Sequence, residues 1–286
     1  PPPTSIHAQV LSRPVARTDE TGILVLDPTH AEGRFKGRMW VYCGGVGELS
    51  YLYTPTKEKE WPQRHLAGFK GTLSADAYAG FDALYTSGEI LEAGCNAHAR
   101  RKFREAHDAA PKRLEPQWAL LSYQRLFAVE REAKEAGLDA EQRLALRLEE
   151  SAPIAKGLYA WLEQLKPKLT PSDPLYRAAT YALNQREAML RFLEDGRVEI
   201  HNNRSESALR QVAVGRKNWL FAGSPSGAKR AAIAYTLIMS CKELGVPVRE
   251  YLIDVLERVS SHPATGVQEL TPRGWLAARP APAAPT

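Results

Sequence analysis

Short runs of apolar, β-branched and aromatic residues dominate the first part of the chain and predict strands. Residues 14–27 predict an extended strand or hairpin arm, and the region 33–37 predicts a loop. Two aromatic-rich runs, at residues 38–43 and 49–54, are separated by a glycine-rich turn, which is typical of a hairpin. With the first segment they predict a three-stranded antiparallel meander.

The elements after the meander predict an α/β fold. They are a strand that ends on Asp76, a helix, a fifth strand and a further helix, at residues 71–76, 77–85, 90–95 and 97–110. Pairing of the two strands with the meander gives a mixed five-stranded sheet flanked by helices. Ligands of such sheets gather at the carboxyl ends of strands, which is where Asp76 stands.

Residues 111–195 change character and show helical patterns without a strand signal. The predicted helices cover residues 118–136, 140–165 with an interruption near Pro153, and 172–193 with Ser172 as the N-cap. We interpret this block as an all-helical insertion.

A short strand over 197–200, a polar turn and a helix that begins near Asn202 or Asn203 are predicted next. Asparagine is a good N-cap, and Glu206 lies in the first turn, where the helix dipole favours a carboxylate. Two amphipathic helices follow, and their apolar stripes, which begin at Ile233 and Val248, are predicted to be core. The end of the chain, residues 279–286, predicts an extended or disordered tail.

Composition narrows the class of protein. The chain has 286 residues, of which 44% are hydrophobic and 25% charged, and this balance argues against disorder. The net charge of +5 leans toward an anionic partner. Three scattered cysteines argue against a disulfide framework, and neither an apolar run of membrane-spanning length nor a signal-peptide pattern is evident. We therefore expect a cytoplasmic protein.

Three carboxylates stand at positions suited to metal-dependent phosphoryl transfer. Asp19 lies in the first strand, Asp76 ends the fourth, and Glu206 begins a late helix in a basic neighbourhood. Such a cluster can hold two Mg²⁺ ions that activate a nucleophile and stabilise the leaving oxygen. The plainer interpretations are a turn or strand end at Asp19 and a helix with a Glu206–Arg210 pair.

Five segments resemble the catalytic part of the IS66-family transposases, over residues 15 to 275. They are Asp19-Glu20-Thr21, the run from Ala75 to Phe81, the run from Gly94 to Phe103, Asn202-Asn203-Arg204-Ser205-Glu206, and the run from Gly215 to Ser224. The resemblance implies a ribonuclease-H-like DDE fold in which Asp19, Asp76 and Glu206 are the catalytic and metal-binding triad. It also implies two Mg²⁺ ions, with Mn²⁺ as a substitute, and a helical insertion before the glutamate.

The resemblance suggests a domain organisation. We expect a lead-in over 1–13, a catalytic core split between 14–110 and 196–262, a helical insertion over 111–195 and a C-terminal tail over 263–286. Full-length members carry an upstream portion that binds transposon ends, and we expect this chain to lack it.

Several residues around the triad depart from the family pattern. They are Arg17 and Thr18 before the first aspartate, Gly22 after the Asp-Glu-Thr run, His201 before the two asparagines, and Ser207 and Gln211 after the glutamate. These departures bear on activity rather than on fold.

Cys95 and His98 have the spacing of a zinc half-site. A second ligand pair at suitable spacing is not evident in the sequence, so we favour a structural or supporting role over a four-ligand zinc site. Asn202 and Asn203 are assigned a supporting role as well.

Basic residues near these motifs are candidates for contact with DNA phosphates, with a solvated helix face as the alternative. They are Arg100, Arg101, Lys102, Arg104, Arg204, Arg210, Arg216 and Lys217. The resemblance implies DNA as substrate, both transposon ends and target, a homo-oligomer in the active complex, and accessory proteins of the same element.

The resulting hypothesis is a transposase catalytic domain that cuts DNA and joins the freed 3′-hydroxyl to a target. Two alternatives stay open. One is a decayed or truncated remnant that acts only as a DNA-binding or assembly module. The other is a related metal-dependent nuclease, which would hydrolyse DNA without strand transfer.

Overall fold

The computed structural model describes residues 5–279. The first elements are, in chain order, α1 (Ser5–Leu11), β1 (Val15–Leu26), β2 (Arg34–Cys43), β3 (Leu49–Thr54), α2 (Glu60–His65), β4 (Gly71–Ser74), α3 (Asp82–Tyr85) and β5 (Ile90–Ala93). The strands form one mixed sheet in the order β3-β2-β1-β4-β5. The predicted ribonuclease-H-like α/β fold, with a mixed five-stranded sheet flanked by helices, is confirmed.

Helices make up the rest of the described chain. They are α4 (Asn96–Ala109), α5 (Leu114–Glu135), α6 (Ala140–Leu146), α7 (Ala152–Leu165), α8 (Pro174–Asn184), α9 (Arg186–Leu190), α10 (Asn203–Trp219), α11 (Pro225–Leu244), α12 (Val248–Arg258) and α13 (Pro272–Ala277). The chain divides into two compact units. Unit 1 comprises the residues up to Gly71 and those from Asn203 onward, and unit 2 comprises residues 72–202.

Unit 1 is built on the antiparallel meander β1-β2-β3. Asp19 of β1 pairs with Val41 of β2, which in turn pairs with Tyr51 of β3. Ile23, Val25 and Val41 point to one face of the meander, where α10 and α11 cover them. Because side chains alternate along a strand, every second residue of β1 lies on this covered face. That set includes Asp19.

Helix α11 supplies hydroxyl groups to the edge strand β3. The backbone N–H of Tyr51 donates to Thr236 Oγ1 at 2.8 Å, and Ser240 Oγ donates to the carbonyl of Leu49 at 3.4 Å. An edge strand has one row of unpaired backbone groups that would otherwise recruit another strand. Side chains of α11 satisfy part of that row.

Unit 2 is mainly helical, and α4 packs against α5 and α8. Phe103 of α4 and Tyr123 of α5 are fully buried with their ring centroids 5.8 Å apart. Between α6 and α7 the helix widens to a π-helical stretch at Arg147–Ser151, just before Pro153. A proline has no N–H to donate to the preceding turn, and this accounts for the predicted interruption.

Three local predictions from the sequence are wrong. Residues 197–200 form turns and bends rather than a strand, although Val198 and Ile200 are buried as an alternating pattern requires. The N-cap of α8 is Asp173, which accepts the N–H of Leu175 at 2.8 Å, because Asp173 directly precedes the proline that begins the helix. The predicted loop at 33–37 belongs mostly to β2, which begins at Arg34.

The apolar stripe predicted to begin at Ile233 lies in the core from its second position onward. Cys241 is buried and Leu237 and Leu244 pack in the same cluster, whereas Ile233 itself is 54% exposed. Smaller residues of α11, Ala228, Ala232 and Thr236, are buried as well. Residues beyond α12 form a 3₁₀ helix at Ala264–Leu270 and then α13, whose Trp275 is buried against Tyr251. Of the predicted extended tail, residues 280–286 lie outside the described residues. The predicted domain boundaries remain predictions.

Candidate active site

Asp19 lies in the middle of β1, opposite Val41 of β2. The side chain is half-buried, and Oδ1 accepts the N–H of Glu20 at 2.7 Å. Its neighbour Glu20 points to the opposite face, where it forms salt bridges with Lys57 at 2.7 Å and Arg38 at 3.2 Å. Of the two adjacent carboxylates, Asp19 is therefore the one on the face that α10 covers.

Glu206 lies in the first turn of α10, as predicted. The buried stripe of this helix consists of Ser205, Ala208, Leu209 and Val212, which face the sheet. Glu206 borders that stripe and is half-buried. Because α10 packs directly on β1, unit 1 brings Glu206 and Asp19 to the same helix–strand interface.

Each end of α10 is tied to the sheet by an arginine. Arg204 donates to the carbonyls of Gly44 and Gly45, the latter at 2.7 Å, and forms a salt bridge with Glu243 at 2.8 Å. Near the other end, Arg216 donates to Thr21 Oγ1 at 3.0 Å and to the carbonyl of Gly22. Both arginines had been predicted to contact DNA, and both have partners inside unit 1.

The chain after α10 is also paired with β1. The N–H of Ala222 donates to the carbonyl of Leu24 at 2.8 Å, and the N–H of Leu26 donates to the carbonyl of Ala222 at 2.9 Å. Leu220 has a positive φ of 59°, which turns the chain out of the helix and toward the strand. The family-like run from Gly215 to Ser224 thus attaches the helix of Glu206 to the strand of Asp19.

The Cys43 thiol reports on the electrostatics of this interface. Burial raises its pKa to about 12, and the charges of Arg204 and Arg17 oppose the increase. Glu243 and Asp19 act on the same thiol and add to the increase. Asp19 and Arg204 are therefore close enough to influence one group.

Asp76 belongs to unit 2, two residues after β4 ends. The segment is held by the N–H of Ala75, which donates to the carbonyl of Ala93 at 3.2 Å, and by a tight turn at Asp76 and Tyr78. Burial raises the pKa of Tyr181 to about 12, and the charges of Cys95, Asp76 and Glu92 add to the effect. Asp76 is half-buried in a partly acidic environment.

The four basic residues predicted on α4 separate into two kinds. Arg100, Arg101 and Arg104 are exposed, with Arg104 at 3.9 Å from Asp108. Lys102 is half-buried, and its Nζ lies 4.7 Å from the centroid of the Tyr181 ring. Lys102 therefore faces α8 instead of joining the exposed basic group.

The remaining predicted residues have clear positions. Arg210 and Lys217 are exposed on α10, whereas Trp219 packs against the core of unit 1. Asn203 is the exposed first residue of α10, and Asn202 is buried in unit 2.

Cys95 directly precedes α4 and is buried. Its Sγ accepts the N–H of Asn202 at 3.3 Å, and its carbonyl accepts the N–H of His98 at 3.0 Å. Within unit 2 the Cys-x-x-His run thus joins the start of α4 to the segment that precedes α10.

The departures from the family pattern mostly avoid the α10–β1 interface. Ser207 and Gln211 lie on the exposed side of α10. His201 stacks on Phe127, with ring centroids 6.1 Å apart, and lies 3.9 Å from Glu199. Arg17, Thr18 and Gly22 belong to β1. By strand alternation Arg17 lies on the covered face and Thr18 and Gly22 lie on the opposite face, although the carbonyl of Gly22 accepts from Arg216.

Sequence reasoning missed two residues near the predicted carboxylates. Thr21 of unit 1 accepts the hydrogen bond from Arg216. Tyr181 of unit 2 contacts Lys102 through its ring, and the charge of Asp76 acts on its hydroxyl. Thr21 could have been found from its place in the Asp-Glu-Thr run. Tyr181 carries no local signal, because it reaches the site through the packing of α8 on α4.

A comparison with protein families shows the family of the chain. The model described as "Transposase IS66 family" matches residues 3–230. The chain belongs to the IS66 transposase family. The match includes Asp19, Asp76 and Glu206, together with both arginines that hold α10.

This IS66-family chain is similar to three curated proteins of Sinorhizobium fredii (strain NBRC 101917 / NGR234). "Uncharacterized protein y4hP" is 37% identical over 94% of this chain and 52% of its own length. "Uncharacterized protein y4qI" is 34% identical over 89% and 49%, and "Uncharacterized protein y4jD" is 30% identical over 94% and 55%. The chain spans about half the length of these relatives. No solved structure matches the chain.

Residues 5–279 contain no helix that qualifies as a membrane-spanning segment.

Proposed function

We propose that this chain is the catalytic domain of a DDE DNA transposase that cleaves DNA in a metal-dependent reaction and transfers the strand. Membership of the IS66 family supports the reaction class. The observation that carries the proposal is the packing of α10 on β1, which gathers Glu206 and Asp19 on one interface of unit 1. In this proposal Asp76 is the third carboxylate.

The side chains fit magnesium as the cofactor. Asp19, Asp76 and Glu206 offer hard carboxylate oxygens, and all three are half-buried, so each has access to solvent. Mg²⁺ favours such ligands, keeps several waters, and needs few protein donors. When bound, two Mg²⁺ ions, or Mn²⁺ in their place, would supply Lewis-acid activation of the attacking oxygen and stabilisation of the leaving oxygen.

The protein's own part in the reaction is to place the carboxylates and the DNA. Asp19 is fixed on a central strand and Glu206 on a helix held at both ends, so neither depends on a mobile loop. Asp76 follows a strand end. The proposal contains no covalent protein–DNA intermediate, and Tyr78 has no role as a nucleophile.

DNA is the proposed substrate and partner. The exposed residues Arg100, Arg101 and Arg104 on α4 can contact phosphates, which contributes affinity without sequence choice. Arg210 and Lys217 offer similar exposed charges on α10. In the active complex we propose a homo-oligomer, with accessory proteins of the same element.

A reaction assay separates this proposal from its two alternatives. The chain is incubated with Mg²⁺ or Mn²⁺ and a DNA duplex that carries a pre-cleaved 3′-hydroxyl end, and products are resolved by length. Joined products that disappear in Asp76→Asn support strand transfer. Hydrolysis without joining indicates the related nuclease, and binding of DNA without any reaction indicates a remnant module.

A further inference from the structure

Arg204 holds the beginning of α10 against the β2–β3 turn. Its guanidinium donates to two consecutive carbonyls, those of Gly44 and Gly45, and pairs with Glu243 of α11. Glu243 also accepts the N–H of Gly47 at 2.8 Å, which closes the contact on the same turn. One side chain therefore joins α10, the hairpin turn and α11.

Arg216 holds the other end of α10 against β1. Its Nη1 donates to the hydroxyl of Thr21 at 3.0 Å and to the carbonyl of Gly22. Thr21 lies two residues after Asp19 in the same strand. A planar guanidinium holds such a geometry, whereas the flexible ammonium group of lysine does not reproduce it.

The spacing of the two arginines along α10 matches the length of β1 between the two places where they attach. The acceptors of Arg204 follow directly on Cys43, whose partner in β1 is Arg17, and Arg216 attaches at Gly22. Arg204 and Arg216 are 12 residues apart, and at 1.5 Å per residue this spans about 18 Å of helix. Five residues separate Arg17 from Gly22 in β1, which corresponds to about 17 Å of strand. Helix and strand therefore run alongside each other in the same direction, with Glu206 half a turn from the first arginine.

We propose that Arg204 and Arg216 are positioning residues that clamp α10 to the sheet at two points and so set the position of Glu206 relative to Asp19. This role rests on the proposed function of the two carboxylates. It differs from the DNA contact that the charge of these arginines suggested, because both guanidinium groups are half-buried against partners of unit 1. Exposed Arg210 and Lys217 of the same helix remain the candidates for DNA.

Thr21 gives the sharpest test, because replacing it changes no charge. Thr21→Val removes the hydroxyl that accepts from Arg216, and Thr21→Ser keeps it. We expect Thr21→Val to weaken Mn²⁺ binding about tenfold, as other residues that orient metal ligands do when altered, and Thr21→Ser to change it little. Equal Mn²⁺ affinity in the two variants would overturn the clamp.

Arg216→Lys and Arg204→Lys test the arginines themselves, with Arg249→Lys on the exposed face of α12 as the matched control. The clamp predicts weaker Mn²⁺ binding in the first two variants and an unchanged salt dependence of DNA affinity. Because lysine keeps the positive charge, the salt slope is measured in Arg216→Gln and Arg204→Gln, with Arg249→Gln as their control. A slope reduced by about one relative to that control, with unchanged Mn²⁺ binding, identifies a phosphate contact and rejects the clamp. In the double variant Thr21→Val with Arg216→Lys, the losses should not add, because both remove one interaction.

Amide hydrogen exchange of α10 tests the clamp without relying on metal binding. If the unaltered chain binds no Mn²⁺, the metal-dependent function fails, and the exchange rates of the α10 amides then decide the clamp. Faster exchange over the last turns of α10 in Thr21→Val than in Thr21→Ser supports it. Identical exchange in the two variants rejects it.

Discussion

The guanidinium of Arg147 is completely buried in the helical unit and forms two hydrogen bonds with the carboxylate of Glu130, at 2.6 and 2.7 Å. It also donates to the carbonyls of Phe192 and Asp195, at 2.8 and 3.2 Å. One arginine at the start of the π-helical stretch thus joins α5 to the segment after α9. A buried charge of this kind depends on its partner, because desolvation is costly once the pair is broken.

We therefore expect Glu130→Gln to destabilise the fold strongly. Removing one partner of a buried pair leaves the other charge uncompensated and costs about 3 kcal/mol or more. Glu163→Gln is the matched control, since Glu163 pairs with Arg186 at 2.7 Å on the exposed surface, where such a pair contributes less than about 1 kcal/mol. Urea unfolding measures both, and equal losses would contradict this interpretation.

Two glycines of unit 2 should respond to alanine in opposite directions. A Cβ at Gly196 would lie 1.7 Å from the carbonyl oxygen of Ala140, so Gly196→Ala must displace backbone and should lower stability. Gly157 lies exposed within α7 with open space around it, so Gly157→Ala should add about 0.5–1 kcal/mol. Thermal unfolding distinguishes them, and a tolerated alanine at 196 would refute the close approach.

Stability should fall in mild acid because two histidines of unit 1 are withdrawn from solvent, His7 completely and His65 in part. Burial lowers the pKa of His65 to about 3, helped by His7, and burial also lowers the pKa of His7 from 6.5. The unfolded chain then binds more protons than the folded chain below about pH 6.5. The stability contributed by neutral imidazoles is fully present above that pH and is lost as the pH falls toward 3.

His65→Gln tests this pH dependence, with exposed His30→Gln as the control. Near pH 5.5 we expect the slope of unfolding free energy against pH to be about 1 kcal/mol per pH unit smaller in His65→Gln than in the unaltered chain. His30→Gln should follow the unaltered chain. Parallel curves for all three proteins would show that His65 does not carry the effect.

The elements of the sheet could be predicted from sequence, whereas several contacts could not. The first strand, the glycine-rich hairpin and the start of the Glu206 helix at Asn203 follow from local sequence signals, and the structure has all three. The prediction of a strand at residues 197–200 failed. Apolar Val198 and Ile200 alternate with polar residues and are buried, as in a strand, but the backbone there forms turns and bends. Burial alone produces that pattern, so sequence could not separate the two structures.

Charge was the least reliable guide to the candidate site. Arg204 and Arg216 look like phosphate ligands in the sequence, but each has acceptors more than 150 residues away along the chain. Lys102 likewise lies against Tyr181 of α8, although its three basic neighbours on α4 are exposed. Only the tertiary packing determines which basic residues remain available to DNA.

The exposed arginines of α4 should contribute to DNA binding through phosphate contact. Arg101→Ala should weaken binding to duplexes of unrelated sequence by similar factors and reduce the salt slope by about one. Arg131→Ala, which removes an equally exposed charge from α5, serves as the control. Fluorescence anisotropy at several salt concentrations measures the slope, and equal effects of both variants would indicate only a general loss of charge.

Metal binding is the decisive property of the proposed active site, because all three carboxylates are proposed to hold the ions. Calorimetric titration with Mn²⁺ should compare the unaltered chain with Asp19→Asn, Asp76→Asn and Glu206→Gln, and with Glu20→Gln as the control on the opposite face of β1. We expect binding to be lost or greatly weakened in the three variants of the proposed triad and retained in Glu20→Gln. Unchanged binding in Asp19→Asn or Glu206→Gln, or no binding by the unaltered chain even with DNA present, would contradict it.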